Sequence, residues 1–362
     1  MAIAKSAHQH ASSILKIAAA FLIVCSVLSY LISLGLGPSL FYYTTDGLKV
    51  ATRTIKELPL EVFIMVPMPL PINSSMGALF GVIWLIFILC FIAAWCSRGG
   101  FLKNVRNLLK EPILSGKTNF LFLMPLIGSS LLYASVIIQQ FQATQGVQTG
   151  NLTFPPQTSP YIILLNLAYA PINEELAFRI TSIGVPLAIY LLIIYRKDQK
   201  VSRISSRLKL ILITMASPEH AKGMFGSKGV AERGFLRGIS VLEWVLIVTT
   251  SLAFGLAHYL LGGGWEIGKV STALLAGLVF GIMFVAYGAY ASILLHWYFD
   301  YFFTIIGMAD STYGGFFHIF SNAVEVTNII GGGIILVILL IIWAVRAGGY
   351  LSKRAVWFEE KH

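Results

Sequence analysis

Two adjacent carboxylates, Glu174 and Glu175, followed by Arg179, stand inside a long apolar stretch, and His258, His296 and Asp300 stand inside two others. A charge at bilayer depth costs about 2.5–3.5 kcal/mol on insertion scales and persists mainly where it does chemistry or is paired. On a helix Glu175 and Arg179 are i,i+4 neighbours with the acid first, the favourable order for an ion pair. Arginine suits the role because its planar fork stays charged when buried. Glu174 is rotated by about 100° from Glu175, so one carboxylate can be neutralised while the other faces a cavity. Two acids against one base leave one acid without a partner, which favours chemistry over simple charge balance.

His296 and Asp300 are also four residues apart, on one helix face. They can ligate one metal or share one water, or Asp300 can hold the imidazole tautomer from behind. Phe254 and His258 share a face too, and the phenyl ring is expected beside the imidazole. A lone histidine in an apolar helix is more often a packing residue than a ligand. In company the balance changes: two imidazoles, an aspartate and a spare glutamate form the His₂-carboxylate pattern of hydrolytic zinc sites. A nearby carboxylate can then act as general base. The same groups could also activate a water without metal.

These residues must be positioned by membrane helices. The chain has 362 residues, 57% of them hydrophobic and only 12% charged, against about 25% charged in soluble domains. Apolar runs near 14–36, 76–96, 119–140, 160–195, 238–261, 269–288, 289–308 and 329–346 predict about eight transmembrane helices, all but the longer fourth near the ~20 residues a crossing needs. The fold class expected is an all-α polytopic membrane protein, a single bundle over 1–362 with a catalytic core at 160–308. Tyr287-Gly288 is the expected turn between two of the helices. Pro171 is expected to break the fourth run just before the acidic pair, and Pro186 to kink it again.

The net charge is +10. Of the 26 basic residues, 21 fall in segments that alternate with loops holding only Lys49, Arg53, Lys56 and Lys269, and Arg179 is intramembrane, which predicts both termini and the basic 196–237 loop on the cytoplasmic side. The positive charge therefore suits topology and anionic lipid, and nucleic acid is not expected as a partner, because no basic helix carries interleaved stacking aromatics. Leu208 to Met215 is an amphipathic piece expected on the membrane surface. Asn73-Ser-Ser and Asn151-Leu-Thr fall in outer loops, so Asn73 and Asn151 are glycosylation candidates. Glu243 is expected at an interface or paired with a loop lysine. Asp310 and His318 are expected in a solvated outer loop, 309–328. Cys25, Cys90 and Cys96 fit no zinc spacing and count as small apolar residues.

Taken together, Glu174-Glu175-x-x-x-Arg179, Phe254-x-x-x-His258 and His296-x-x-x-Asp300, each in its own apolar helix and in this order, resemble the CPBP (CAAX prenyl protease and bacteriocin-processing, Abi) family of intramembrane proteases. The resemblance covers about 160–308. It implies an integral multi-pass membrane enzyme, a bundle of eight helices, that hydrolyses peptide bonds of membrane-associated protein or peptide substrates, CAAX-prenylated ones among them. It implies that Glu174 is the catalytic glutamate, that His258, His296 and Asp300 complete the set holding a water or a zinc or other divalent metal, and that Glu175, Arg179 and Phe254 support them. A proton- or cation-coupled transporter is the rival expectation, since intramembrane Glu, His and Asp also serve as relays; the paired interrupted helices of two related halves that many transporters show are not evident. A non-catalytic immunity protein on the same fold is the third.

Overall fold

The computed structural model describes residues 2–107, 117–261 and 263–359. Lys110, counted with the cytoplasmic basic residues, lies outside them. The chain opens with α1 (Ala2–Tyr43) and the short α2 (Thr45–Ala51), then an antiparallel hairpin, β1 (Thr54–Val62) and β2 (Val66–Ser75). Next come α3 (Met76–Cys96), α4 (Phe101–Asn107), α5 (Phe120–Thr144) and α6 (Pro160–Glu175). A π-helical segment, Leu176–Gly184, joins α6 to α7 (Val185–Ile194). Four short helices follow: α8 (Ile204–Ala216), α9 (Pro218–Gly223), α10 (Val230–Arg233) and α11 (Phe235–Gly238). The last part holds α12 (Val241–Leu260), α13 (Gly268–Tyr287) and α14 (Ala289–Trp297), a second π segment (Tyr298–Phe302), α15 (Phe303–Tyr313) and α16 (Phe316–Glu359).

Among the described residues seven helices are long and apolar enough to cross a membrane, and the chain is an integral, multi-pass, essentially all-α membrane protein. The remaining expected helix, 289–308, forms as α14, π turn and α15 in unbroken succession, ending at Tyr313. It is the centre of the bundle. Ala291 to Trp297 are all buried, as befits a helix that is apolar all round, and α14 packs against α3, α6 and α13. Local signals set the starts: Ser75, Ser159 and Ser240 cap α3, α6 and α12 with their hydroxyls. Pro160 follows Ser159 where its missing N–H is harmless. Gly288 makes the expected turn at φ 104, where a side chain would strike the Ala216 carbonyl.

Three expectations change. Pro171 lies inside α6 without breaking it; the departure from α-helix begins after the acidic pair, at Leu176. The outer loop 309–328 does not exist as a loop. A Gly314-Gly315 turn with both glycines at positive φ joins two helices there, and His318 and Asp310 meet across it at 3.2 Å. The 196–237 segment is folded rather than an open loop: Leu210 of α8 is buried with Leu191, Val201 and Ala221, while Leu208 and Leu212 stay exposed. Arg98 ties this segment to the bundle. It reaches Glu219 at 3.1 Å, donates to the Ala286 carbonyl and lies 3.7 Å over the Tyr287 ring. Glu243 pairs with the loop residue Lys222 at 2.7 Å, as expected.

Candidate active site

The acidic pair sits on the last turn of α6, where the helix passes into its π segment. Inserted π turns re-aim side chains and recur at functional sites. Glu175 and Arg179 form the expected ion pair, Nη1 to Oε1 2.8 Å, both side chains wholly buried. Arg179 also donates to the Gly277 carbonyl at 3.3 Å and lies 4.4 Å over Phe254, with Phe280 and Phe178 at 5.3 and 5.7 Å. Gly277 permits that approach, since a side chain there would crowd both Ser251 and the guanidinium. One cation thus fastens α6, α12 and α13 together.

His296 is the hub. Its Nδ1 lies 3.0 Å from Glu175 Oε1, and its Nε2 lies 3.2 Å from Asp300 Oδ2 and 3.5 Å from Glu174 Oε2. Carboxylates accept, so Nδ1–H donates to Glu175 and a proton at Nε2 faces Asp300, while Glu174 Oε2 stands just beyond hydrogen-bond reach. The two glutamates differ as the helical rotation between them required. Glu175 has no exposed surface, whereas the side chains of Glu174 and Asp300 keep 25% and 26% of theirs. Glu174 Oε2 itself is buried and has no hydrogen-bond partner. Glu175 Oε2 shares that state, but its sister oxygen is already committed to Arg179 and His296.

His258 approaches from α12. Its Nδ1 is 2.9 Å from the Phe254 carbonyl, which can only accept, so Nδ1 carries the proton and Nε2 keeps its lone pair. Phe254 stands edge-on to both imidazoles, with centroids 4.7 Å from His258 and 5.8 Å from His296. His258 lies within electrostatic range of His296 and Asp300. The helix boundaries inferred from sequence put the two histidines toward opposite ends of the bundle; α15 removes the conflict, because His296 and Asp300 fall near the middle of a continuous 289–313 helix.

Across the hub and its histidines the residues do not fit a resident cation in this arrangement. Among the described residues no three His, Cys, Asp or Glu side chains converge on a point one ion could share. His296 has both ring nitrogens turned to carboxylates.

Residues 156–302 match the family model described as type II CAAX prenyl endopeptidase Rce1-like. This segment is similar to the CPBP family of CAAX-type intramembrane endopeptidases. No curated protein and no solved structure matches it. The matched segment holds all seven motif residues, Glu174 to Asp300.

Other side chains at the site were not foreseen from sequence. Phe280 stacks 5.1 Å from His296 and gives no signal beyond its place in an apolar run. Asn173 precedes the acidic pair, and its Oδ1 accepts from the Glu61 N–H and the Tyr169 hydroxyl; its adjacency to the motif was the available clue. Lys269, at the start of α13, lies 3.9 Å over the Trp265 ring and within electrostatic range of Asp300 and Glu174. Asn73 falls near the end of β2 and Asn151 in a loop beside Trp265, both exposed.

Proposed function

We propose that this protein is an intramembrane endopeptidase in which Glu174 activates a water against a peptide bond of a membrane-anchored substrate, CAAX-prenylated proteins being the class its family indicates. The observation that carries the reading is the Glu174 carboxyl: partly open, one oxygen buried without a partner, and beside the Nε2 edge of His296. A buried acceptor left unpaired costs about 1–3 kcal/mol, and a water in the opening between Glu174 and Asp300 would satisfy it.

The residues then divide the work. Glu174 takes the proton from water as it attacks the scissile carbonyl, and returns it to the leaving amine. His296, held by Glu175 from one side and Asp300 from the other, keeps a proton at Nε2 with which to steady the oxygen that becomes negative. His258, with its Nε2 lone pair free, accepts a hydrogen bond from the water's second O–H, which stays on the oxygen, and so orients the nucleophile. Arg179 leaves Glu175 no freedom to compete, and its aromatic collar keeps bulk water out. The glutamate, the two histidines and the aspartate supply this without a metal step.

The test is hydrolysis itself. Purified protein in liposomes, given a farnesylated peptide ending in a cysteine-aliphatic-aliphatic-X sequence in water enriched in oxygen-18, is expected to release the C-terminal fragment and place one heavy oxygen in the new carboxylate. Failure to cut any membrane-tethered peptide with enzyme in excess would overturn the reading.

A further inference from the structure

The hairpin of β1 and β2 is not an ordinary extramembrane loop. Between Leu58 and Ile72 it carries one charged residue, Glu61, and Phe63, Ile64, Val66, Met68 and Leu70 are each 43–52% exposed. It runs along the catalytic helix: Tyr169 donates to the Pro59 carbonyl, the Glu61 N–H donates to Asn173, and the Phe63 N–H donates to Thr181. At the tip the Ile64 N–H donates to the Ala177 carbonyl. Ala177 is the midpoint of the span Pro160–Ile194. The base of the hairpin, Arg53 and Met76, joins the helix ends. Nine strand residues at about 3.3 Å each reach about 30 Å, enough to go from the membrane surface well into the hydrocarbon.

Open strand edges are excluded from lipid because their amides find no partner there. The N–H groups of this hairpin meet that condition on both edges. The outer positions of β1 bond to α6 and the π segment. The matching positions of β2 are Pro67, Pro69 and Pro71, paired with Glu61, Pro59 and Glu57. They have no N–H to leave bare. The tip is also strained: Phe63, Ile64 and Met65 all have positive φ, at 46°, 58° and 67°. Met65 packs, with Ala253 and Ala257, against Ala177, Phe178, Phe254 and Ala273. It therefore sits between the segment that follows Glu174 and the helix of His258.

We propose that Thr54–Ser75 is a re-entrant hairpin whose proline-edged face meets lipid acyl chains and whose tip seals the catalytic cleft from the bilayer, moving off α6 and α12 to admit a lipid-borne substrate. The depth of the hairpin is independent of catalysis; the seal rests on the proteolytic reading above. In a background with Cys25, Cys90 and Cys96 replaced by alanine, Met68→Cys should resist a membrane-impermeant maleimide that labels Asn151→Cys. A fluorophore on it should be quenched by spin labels on acyl chains more than on headgroups. Labelling as fast as at Asn151→Cys, with headgroup quenching dominant, would overturn the placement. For the seal, oxidising the pair Phe63→Cys with Thr181→Cys should slow cleavage of a tethered peptide at least about tenfold, as pinned lids do, with recovery on reduction. An oxidised pair that cleaves as fast as the reduced one overturns the seal. A wild-type protein that cleaves nothing instead overturns the proteolytic function and leaves the depth result standing.

Discussion

At the scale of residues, the decisive difference is between two neighbouring glutamates. Glu175 is wholly buried and pinned by Arg179 and His296, and Glu174 is partly open with an unpaired oxygen. Removing one partner of a buried ion pair costs about 3–5 kcal/mol because the other charge is stranded. Arg179→Ala is therefore expected to lower the thermal midpoint in detergent sharply, with activity lost through unfolding. His258→Ala should behave differently: its imidazole holds only the Phe254 carbonyl within the protein, so the midpoint should barely move. The catalytic rate at saturating substrate should fall by about 10²-fold, the cost of a misplaced reacting group. Unfolding scans beside initial rates separate the two variants, and a His258→Ala enzyme at the full wild-type rate would remove that imidazole from the mechanism. The motif residues were legible because charge in an apolar run is conspicuous. Phe280 and Asn173 were not, since an aromatic or an amide among such neighbours looks like packing until its distance to His296 or to the hairpin is known.

At the scale of elements, the sequence showed where apolar runs start and stop, but neither π segment, because a π turn inserts one residue without changing composition. The error over Pro171 has the same origin: a proline announces a lost donor, not where the helix will take up the strain. The hairpin was passed over as an outer loop, though Val66 to Ile72 alternates proline with apolar residues, the period-two pattern of an edge strand. The folded 196–237 segment hid for another reason, since its anchor, Arg98, is more than a hundred positions away in sequence. That anchor is testable. Burial pushes the Glu219 carboxyl above the ordinary value of 4.5, against the opposing pull of the Ala231 N–H and Arg98. A raised value in the folded state means that the fold favours the protonated form, so this carboxyl's contribution is present at low pH and is lost as pH rises above about 4.5. Glu219→Gln should then resist limited proteolysis between α8 and α11 as well as wild type at neutral pH, and lose the pH dependence. Arg98→Ala, which strands a partly buried carboxylate, should be cut faster. Equal cutting of all three proteins would show that the contact holds nothing.

At the scale of the molecule, the basic residues and the helix order imply one orientation. The loop with Asn151 lies at the end of the bundle that holds Pro160 and Trp265, and the segment with Ser227 lies at the other. In intact cells with the native cysteines replaced, an impermeant maleimide is expected to label Asn151→Cys and to reach Ser227→Cys only after permeabilisation; the reverse would invert the topology. Within that frame the bundle places a partly open carboxylate and an aspartate against the His296 imidazole, with His258 held beside the same Phe254 ring, and a caged arginine fastens three helices there. Composition and motif spacing were enough to foresee a membrane bundle with converging polar groups. Which of the two acids is free, and what covers the cleft, depended on packing that no single segment encodes.

The most direct measurement compares Glu174→Gln and Glu175→Gln in the same liposomes, each scored for folding by its thermal midpoint and for cleavage of one membrane-tethered peptide. The account predicts that Glu174→Gln keeps the wild-type midpoint and loses cleavage by about 10² or more, while Glu175→Gln shows its loss first in the midpoint. A well-folded Glu174→Gln protein that cleaves at the wild-type rate would contradict it.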